Sequence, residues 1–319
     1  MNSSQSILTR LAAGALGLLV AASAWAWPDK PIEIVVGFAP GGGTDITART
    51  LAAHLGKALG GTVLVVNKPG ASGAIGLAYV ARAPADGYTL GMTNMPGLLT
   101  LPIERDAGFK SGDFSYIANL VRDPSAFSVT LDSPYKTLAD LTAAAKKAPG
   151  SISYGSTGVG TDDHLAMVMF EGLTGTKLLH VPFNGAGPLR NALMGKHVVV
   201  SGMNLGEAMP YSGQTVRILA QAGGLRSKLG PEVPSFKEQG VDLVFGSERG
   251  IVAPKGMPAE IEQKLAAAMR QVADNPEFQA QMKAQFTEMD YMPGPEWKKH
   301  LERADVGFRQ MWAKKPWTD

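Results

Sequence analysis

Residues 38 to 50 read FAPGGGTDITART, directly after the apolar run Ile32 to Gly37, IEIVVG. A β-branched run of this kind reads as a buried strand, and its abrupt end in proline and three glycines reads as a turn. Thr44 and Asp45 then open an amphipathic helix to Leu59, with Leu51, Ala52, Leu55, Ala58 and Leu59 on one face. Strand, glycine-rich turn and helix in that order leave backbone N–H groups pointing along the positive end of the helix. Such a turn is an anion cradle made without a charged side chain, and glycine lets a ligand oxygen come close to the backbone.

The same units continue outward from this stretch. Strands are expected at Val63 to Val66 and Tyr88 to Thr93, with a helix at Ala74 to Ala83 between them. That order is β-α-β-α-β, the pattern of a parallel sheet covered on both faces. After a less regular stretch from Pro96 to Phe114, apolar segments Tyr116 to Leu120 and Ala126 to Leu131 lead to a helix at Leu138 to Lys147 and a strand at Ser151 to Tyr154. A second glycine-rich turn lies in residues 154 to 165, YGSTGVGTDDHL, and again sets Thr-Asp at a helix start, here Asp162 to Leu173. Strands near Leu178 to Val181, Val198 to Gly202 and Val216 to Ala220 complete a second α/β set. The C-terminal part reads as helical from Pro258, with further helices at Asn275 to Gln285 and Glu296 to Lys314. Trp297, Leu301, Phe308, Met311 and Trp312 form a stripe expected to pack against a sheet.

A chain of 319 residues, 45% hydrophobic and 18% charged, can bury two cores of ordinary size. Its 38 glycines and 21 prolines follow no repeat, which suits many strand-to-helix turns better than a solenoid. Residues 1 to 26 carry Arg10, the apolar stretch Leu11 to Ala22 and the small-x-small pattern Ala24-Trp25-Ala26. They read as a secretory signal cleaved after Ala26, which places the mature chain in the periplasm. The formal net charge is +2 and implies no nucleic-acid or membrane-surface attraction. With no cysteine, an exported chain has neither a disulfide framework nor a lipidated N-terminal cysteine.

Nucleotide motifs fail at both turns. Neither contains the lysine of a phosphate loop, and a GxGxxG fingerprint begun at Gly158 meets Asp163 where its last glycine belongs. A nucleophile elbow at Ser156 fails because Tyr154 stands where glycine is needed. The five histidines show no HExxH or HxH pair, so neither a metal nor a cofactor is expected. Asp162-Asp163-His164 is a tight acid/base cluster, but two carboxylates in a first helical turn, capped by Thr161, are better read as serving the helix dipole.

Six motifs in order carry a family resemblance: PIEIVVGFAPGGGTDITARTLAAHLGKALG, VVNKPGASGAIG, APADGYTLGMTN, ISYGSTGVGTDDHLA, LLHVPFNGAGPLRNALMGKHV and RGIVAPKGMPAEI. Over nearly all the chain after residue 26 the sequence resembles the Bug proteins, periplasmic solute-binding components of tripartite tricarboxylate transporters. The resemblance implies a two-lobed α/β fold of the type II periplasmic-binding-protein (Venus-flytrap) kind, each lobe a mainly parallel sheet flanked by helices. Lobe 1 would comprise residues 27–122 and 248–319, and lobe 2 residues 123–247. Crossings are expected near Arg122 to Ser125 and Gly246 to Gly250. It further implies a non-catalytic, monomeric protein that closes on a small organic carboxylate and presents it to inner-membrane transporter subunits.

Residue by residue, Phe38, Pro40, Gly41, Gly42, Gly43, Thr44 and Asp45 would form the first ligand loop, with Asp45 as a brace because its charge opposes an anion. Ser156, Gly158 and Thr161 would form the second, and Thr93 with Asn94 a polar strand end. Phe183-Asn184-Gly185-Ala186 stands where the family usually has Tyr-Lys-Gly, so backbone contact through Gly185 and Ala186 survives while Asn184 removes a positive charge. Asp162 and Asp163 stand where small hydroxyl residues are common, and both departures weigh against a highly charged tricarboxylate. Arg249 is the cation expected near the cleft, able to clamp a carboxylate with a planar fork, and Asn204 a weaker candidate. A monocarboxylate, a dicarboxylate and an aromatic acid all stay open. Two rival functions do too: a ligand-dependent sensor partner, and a periplasmic hydrolase using Asp162, Asp163 and His164.

Overall fold

The computed structural model describes residues 27–318, so the expected signal segment lies outside the described residues. Strand β1 (Ile32–Val36) leads through the first glycine turn to α1 (Gly43–Leu59), β2 (Val63–Asn67), α2 (Ala74–Arg82), β3 (Thr89–Met92) and α3 (Gly97–Glu104). The long strand β4 (Phe114–Pro124) is followed by β5 (Ala126–Thr130), α4 (Leu138–Lys147), β6 (Ser153–Ser156), α5 (Asp162–Thr174), β7 (Leu179–Pro182) and α6 (Ala186–Met194). Then come β8 (Val200–Ser201), the one-turn α7 (Leu205–Ala208), β9 (Val216–Gln221) and β10 (Gly246–Pro254). The remaining elements are α8 (Ala259–Ala273), α9 (Pro276–Ala284), β11 (Met289–Pro293) and α10 (Gly294–Lys314).

These strands form two sheets, a six-stranded one in the order β11-β4-β10-β3-β1-β2 and a five-stranded one in the order β7-β6-β8-β5-β9. The expected two α/β lobes are present, and each sheet is mixed. Pairs β1/β2, β1/β3, β6/β7 and β6/β8 are parallel, as helical crossovers require. The antiparallel pairs come from β4, β5, β9, β10 and β11. The chain leaves the six-stranded sheet between β4 and β5 and returns between β9 and β10.

Alternation along β1 shows how each sheet is sandwiched. Ile32, Ile34 and Val36 pack with Leu51 and Leu55 of α1, Met269 of α8 and Phe278 of α9. Val35 points to the other face, with Val80 of α2, Leu101 of α3 and Trp297 of α10. Leu51 and Leu55 are fully buried, and each such side chain contributes about 1.5–3 kcal/mol. The second sheet repeats this plan, with Phe127, Met167 and Phe170 in one core and Leu189, Leu193 and Leu205 in the other.

Three features differ from the sequence-based expectation. The irregular stretch after Pro96 contains α3, hidden by Gly97 and by Pro102 inside the helix. The apolar segment ending at Leu120 is part of an 11-residue strand that continues through Arg122 and Asp123, whose charges find partners on β10 and α7. Strand β11 lies at the sheet edge beside β4 and ends at Pro293, where a missing N–H costs nothing. Among the described residues no helix is long and apolar enough to cross a membrane.

Candidate ligand-binding cleft

The first glycine turn leaves the C-terminal end of β1. A Cβ at Gly37 would meet the Gly73 carbonyl oxygen at 2.7 Å, so the strand exit has no room for a side chain. Gly41 has φ +86°, a conformation that favours glycine. Gly43 begins α1, but a Cβ there would stand 2.8 Å from the Arg249 guanidinium carbon and 2.8 Å from Glu207 Oε1. One glycine is thus required by the turn and another by the close approach of Arg249 and, from the opposite lobe, of Glu207.

Asp45 braces this turn. Its Oδ2 accepts the Gly41 N–H at 2.9 Å and Arg49 Nε at 3.0 Å, while Asn67 Nδ2 donates to its Oδ1 at 2.8 Å. Burial pushes the Asp45 carboxyl up, yet the bonds from Arg49, Gly41 and Asn67 outweigh it and hold the group below its ordinary range.

The two lobes meet at this loop. The Ala39 N–H donates to the Asn184 carbonyl at 3.0 Å, and a Cβ on Gly42 would lie 3.3 Å from Ala186 Cβ. In the second glycine turn, the Thr157 N–H and Oγ1 donate to Asp163 Oδ2 at 3.1 and 2.6 Å, and the Gly160 N–H donates to His164 Nδ1 at 3.1 Å. Ser156 Oγ lies 2.6 Å from His180 Nε2, and Thr161 Oγ1 donates to the Gly158 carbonyl at 2.7 Å. The turn's tip rests on the first lobe: Thr100 Oγ1 donates to the Gly160 carbonyl at 2.5 Å, and Gly158 lies against Ser72.

Behind the loops lies a buried charge cluster. Arg249 is 1% exposed; its Nη1 donates to Asp123 Oδ2 and its Nη2 to Asn204 Oδ1, both at 3.0 Å, with Glu207 Oε1 at 3.7 Å. Glu207 Oε1 also accepts the Gly43 N–H at 2.6 Å, across the lobe interface. Asn204 Nδ2 donates to Asp162 Oδ2 at 2.6 Å, where Ser125 Oγ joins at 3.2 Å. Burial pushes Asp123 up to about 6 against the pull of Arg249, and Asp162 up to about 7 against the Asn204 bond. Asp163 is raised well above its ordinary value, first by burial and then by Asp162 and Glu207. Burial opposes the Arg249 charge, but Asp123, Glu207 and Asp162 more than compensate and keep its pKa raised.

A residual cavity of about 10 Å³ remains between the lobes. Of the expected site residues, Phe38, Gly42, Gly43, Thr44, Asp45, Asn94, Ala186 and Asn204 are brought together in its wall. Pro40, Gly41, Asn184 and Gly185 stand beside it in the same two turns, outside its wall, whereas Thr93 is fully buried and bonds Gly250 of β10. Ser156, Gly158 and Thr161 shape the second turn without lining the cavity, and Arg249 lies behind it. His164, whose pKa burial lowers to about 3, serves as an acceptor for the loop backbone and stacks on His180 at 4.1 Å. Among the described residues no group of three or more His, Cys, Asp or Glu is placed to hold a metal. Two wall residues escaped the sequence reading, Thr157 and Glu207. Glu207 follows Asn204 at capping-box spacing, with the Asn204 N–H donating to its Oε2 at 3.2 Å, so its signal in the sequence is that of a helix start. A larger cavity of about 280 Å³ lies beside β4 and β10, lined by Arg122, Phe245, Glu248 and His300, and contains neither glycine turn.

The family described as "Tripartite tricarboxylate transporter family receptor" matches residues 47–301. A Cupriavidus necator protein described as "UPF0065 protein in gbd 5'region" is 38% identical over 272 residues, covering 84% of this chain and 83% of the relative. The periplasmic binding protein BugD superposes with a TM-score of 0.84 at 29% identity, over 90% of this chain and 98% of that one. An R. palustris protein solved with adipate gives 0.85 at 29% identity, over 90% and 97%. On sequence and fold together, the chain belongs to the tripartite tricarboxylate transporter receptor family, the Bug proteins, which are periplasmic solute-binding proteins and not enzymes.

Proposed function

We propose that this protein captures a small organic carboxylate between its lobes and delivers it to inner-membrane subunits of a tripartite tricarboxylate-type transporter. The observation that carries the reading is the meeting of the first glycine turn with the turn before α6, through Ala39 and Asn184, at a cavity walled by residues of both sheets. Lobe 1 spans residues 27–122 and 248–319, lobe 2 spans residues 123–247, and the links around Ser125 and before Gly246 act as the hinge. A ligand favours closure only by binding better to the shut arrangement, which requires contacts from both rigid bodies. The adipate bound to the R. palustris relative supports a carboxylate as the solute class. Export with cleavage after Ala26 and action as a monomer complete the proposal, and capture needs no cofactor.

Thermal unfolding of the purified protein against mono-, di-, tri- and aromatic carboxylates, amino acids and phosphate esters tests this. A solute present at about 100 times its Kd stabilises the folded state by about 2.7 kcal/mol. A shift confined to carboxylate-bearing compounds is expected. A shift with phosphate esters alone overturns the reading.

A further inference from the structure

Residues of β4 and β10, the two strands that cross between the lobes, divide by face. Their antiparallel register sets Ser247 opposite Asp123 and Arg249 opposite Val121, whereas Gly246 lies opposite Pro124 and Glu248 opposite Arg122. Side chains alternate along a strand, so Asp123, Ser247 and Arg249 share one face, where they join Asn204 behind the glycine turns. Arg122, Pro124, Gly246 and Glu248 share the reverse face, and all four line the cavity of about 280 Å³. The β4–β10 ribbon thus stands between that cavity and the cleft. Walls come from both lobes: Met95 with His300, Ala304 and Phe308 of α10 from one, Val244 and Phe245 from the other. The rings of Phe245 and Phe308 meet edge to face, their centroids 6.2 Å apart. Glu248 is 9% exposed; its Oε1 accepts Arg122 Nη2 at 3.0 Å and His300 Nε2 at 2.9 Å, while its Oε2 is buried without a hydrogen-bond partner. Arg122 also holds Asp290, Nε to Oδ2 at 3.3 Å, so two carboxylates share one guanidinium. A donor that carries positive charge would supply both the missing bond and the missing charge.

We propose that this cavity is a second binding site, for a small apolar amine, on the reverse side of the hinge. The ammonium donates to Glu248, and the apolar body lies against Met95, Val244, Phe245 and Phe308. The site acts on the cleft through the ribbon between them. Walls on opposite sides of a pivot move in opposite senses, so opening the cleft brings Phe245 towards α10 and narrows the cavity. An occupant therefore favours the shut arrangement, and by linkage the amine and the cleft's solute each tighten the other's binding. This coupling rests on the hinge proposed above; the site itself does not.

Calorimetry on the purified protein with benzylamine and benzyl alcohol, which differ in the polar end alone, tests the site. Benzylamine is expected to bind at least tenfold more tightly than the alcohol, because its hydrogen bond to Glu248 is charged at both ends. Glu248→Gln is expected to erase that preference, and Ala304→Phe, which fills the cavity, to abolish binding of both. Absence of binding, equal or tighter binding of the alcohol, a preference that survives Glu248→Gln, or amine binding that survives Ala304→Phe overturns the site and leaves carboxylate capture in the cleft standing. Solution scattering tests the coupling: benzylamine at saturation is expected to lower the radius of gyration in the absence of any carboxylate. An unchanged or larger radius overturns it.

Discussion

A guanidinium removed from water must satisfy its donors, because an uncompensated buried charge costs several kcal/mol. The terminal nitrogens of Arg249 do so with Asp123 and Asn204, and its neighbours in turn depend on it: Asp123 is buried and Glu207 half-buried beside it. Arg249→Ala is therefore expected to lower stability by about 3–5 kcal/mol in urea unfolding. Arg249→Lys should recover only part of this, since an ammonium cannot reach two acceptors with a planar fork. A loss below about 1 kcal/mol in the alanine variant would show that the acids are protonated and need no cation. Gly43 makes the converse case, a residue whose value is the atom it lacks. Its helical backbone tolerates alanine, but the new Cβ would press on Arg249 and Glu207 at 2.8 Å from each. Gly43→Ala is expected to leave the melting temperature of the unliganded protein within a few degrees while weakening solute binding at least tenfold, about 1.4 kcal/mol. Unchanged affinity would mean the lobes do not approach here in the bound state.

At the scale of the element, the N-terminus of α5 carries Asp162 and Asp163 where a helix start favours negative charge, yet both are buried and both titrate upward. Asp162 moves from 3.8 to about 7, so the folded state holds a proton that the unfolded chain has lost. Its stability contribution is fully present below pH 4 and disappears as the pH rises towards 7. Asp162→Asn is expected to flatten the fall in melting temperature between pH 4 and 7, with the variant gaining on the parent at pH 7.5; parallel curves would sink the assignment. This helix also shows what the sequence made legible. The Thr-Asp start after a glycine turn and the helical spacing to Leu173 were readable, as were β1, α1, α4 and the two-sheet plan, because period and turn chemistry are local. Helix α3 was not, because Pro102 and Gly97 contradict a helix that is held by burial of Leu98, Leu99 and Leu101. Nor was Glu207 legible as part of the cleft, since its pairing with Gly43 spans 164 residues and only the closed fold brings the two together.

At the scale of the whole molecule, two sheets are joined by Ser125 between β4 and β5 and by residues 222–245 between β9 and β10, and opening about these links must break the contacts that cross the cleft. Those contacts include polar ones from Ala39 to Asn184, Gly43 to Glu207, Thr100 to Gly160, Arg249 to Asn204 and Ser227 to Glu288. Each net hydrogen bond is worth about 0.5–1.5 kcal/mol, or up to about 3 for a charged partner, so a solute that adds only a handful of bonds can shift the balance between open and shut. A covalent link at the same place tests whether that motion is needed. A Cβ on Gly42 would lie 3.3 Å from Ala186 Cβ, a few tenths of an ångström inside the span that a disulfide prefers, about 3.5–4.5 Å. The chain has no cysteine, so Gly42→Cys with Ala186→Cys can form one bond and no other within a molecule. The oxidised double variant is expected to stay shut, with a radius of gyration in solution scattering that no solute changes, and to exchange solute at least a hundredfold more slowly than its reduced form. Reduction should restore both the scattering change and the exchange. If the oxidised protein takes up and releases solute as fast as the reduced one, entry does not pass between the lobes, and closure about the β4–β5 and β9–β10 links is not how this receptor holds its ligand.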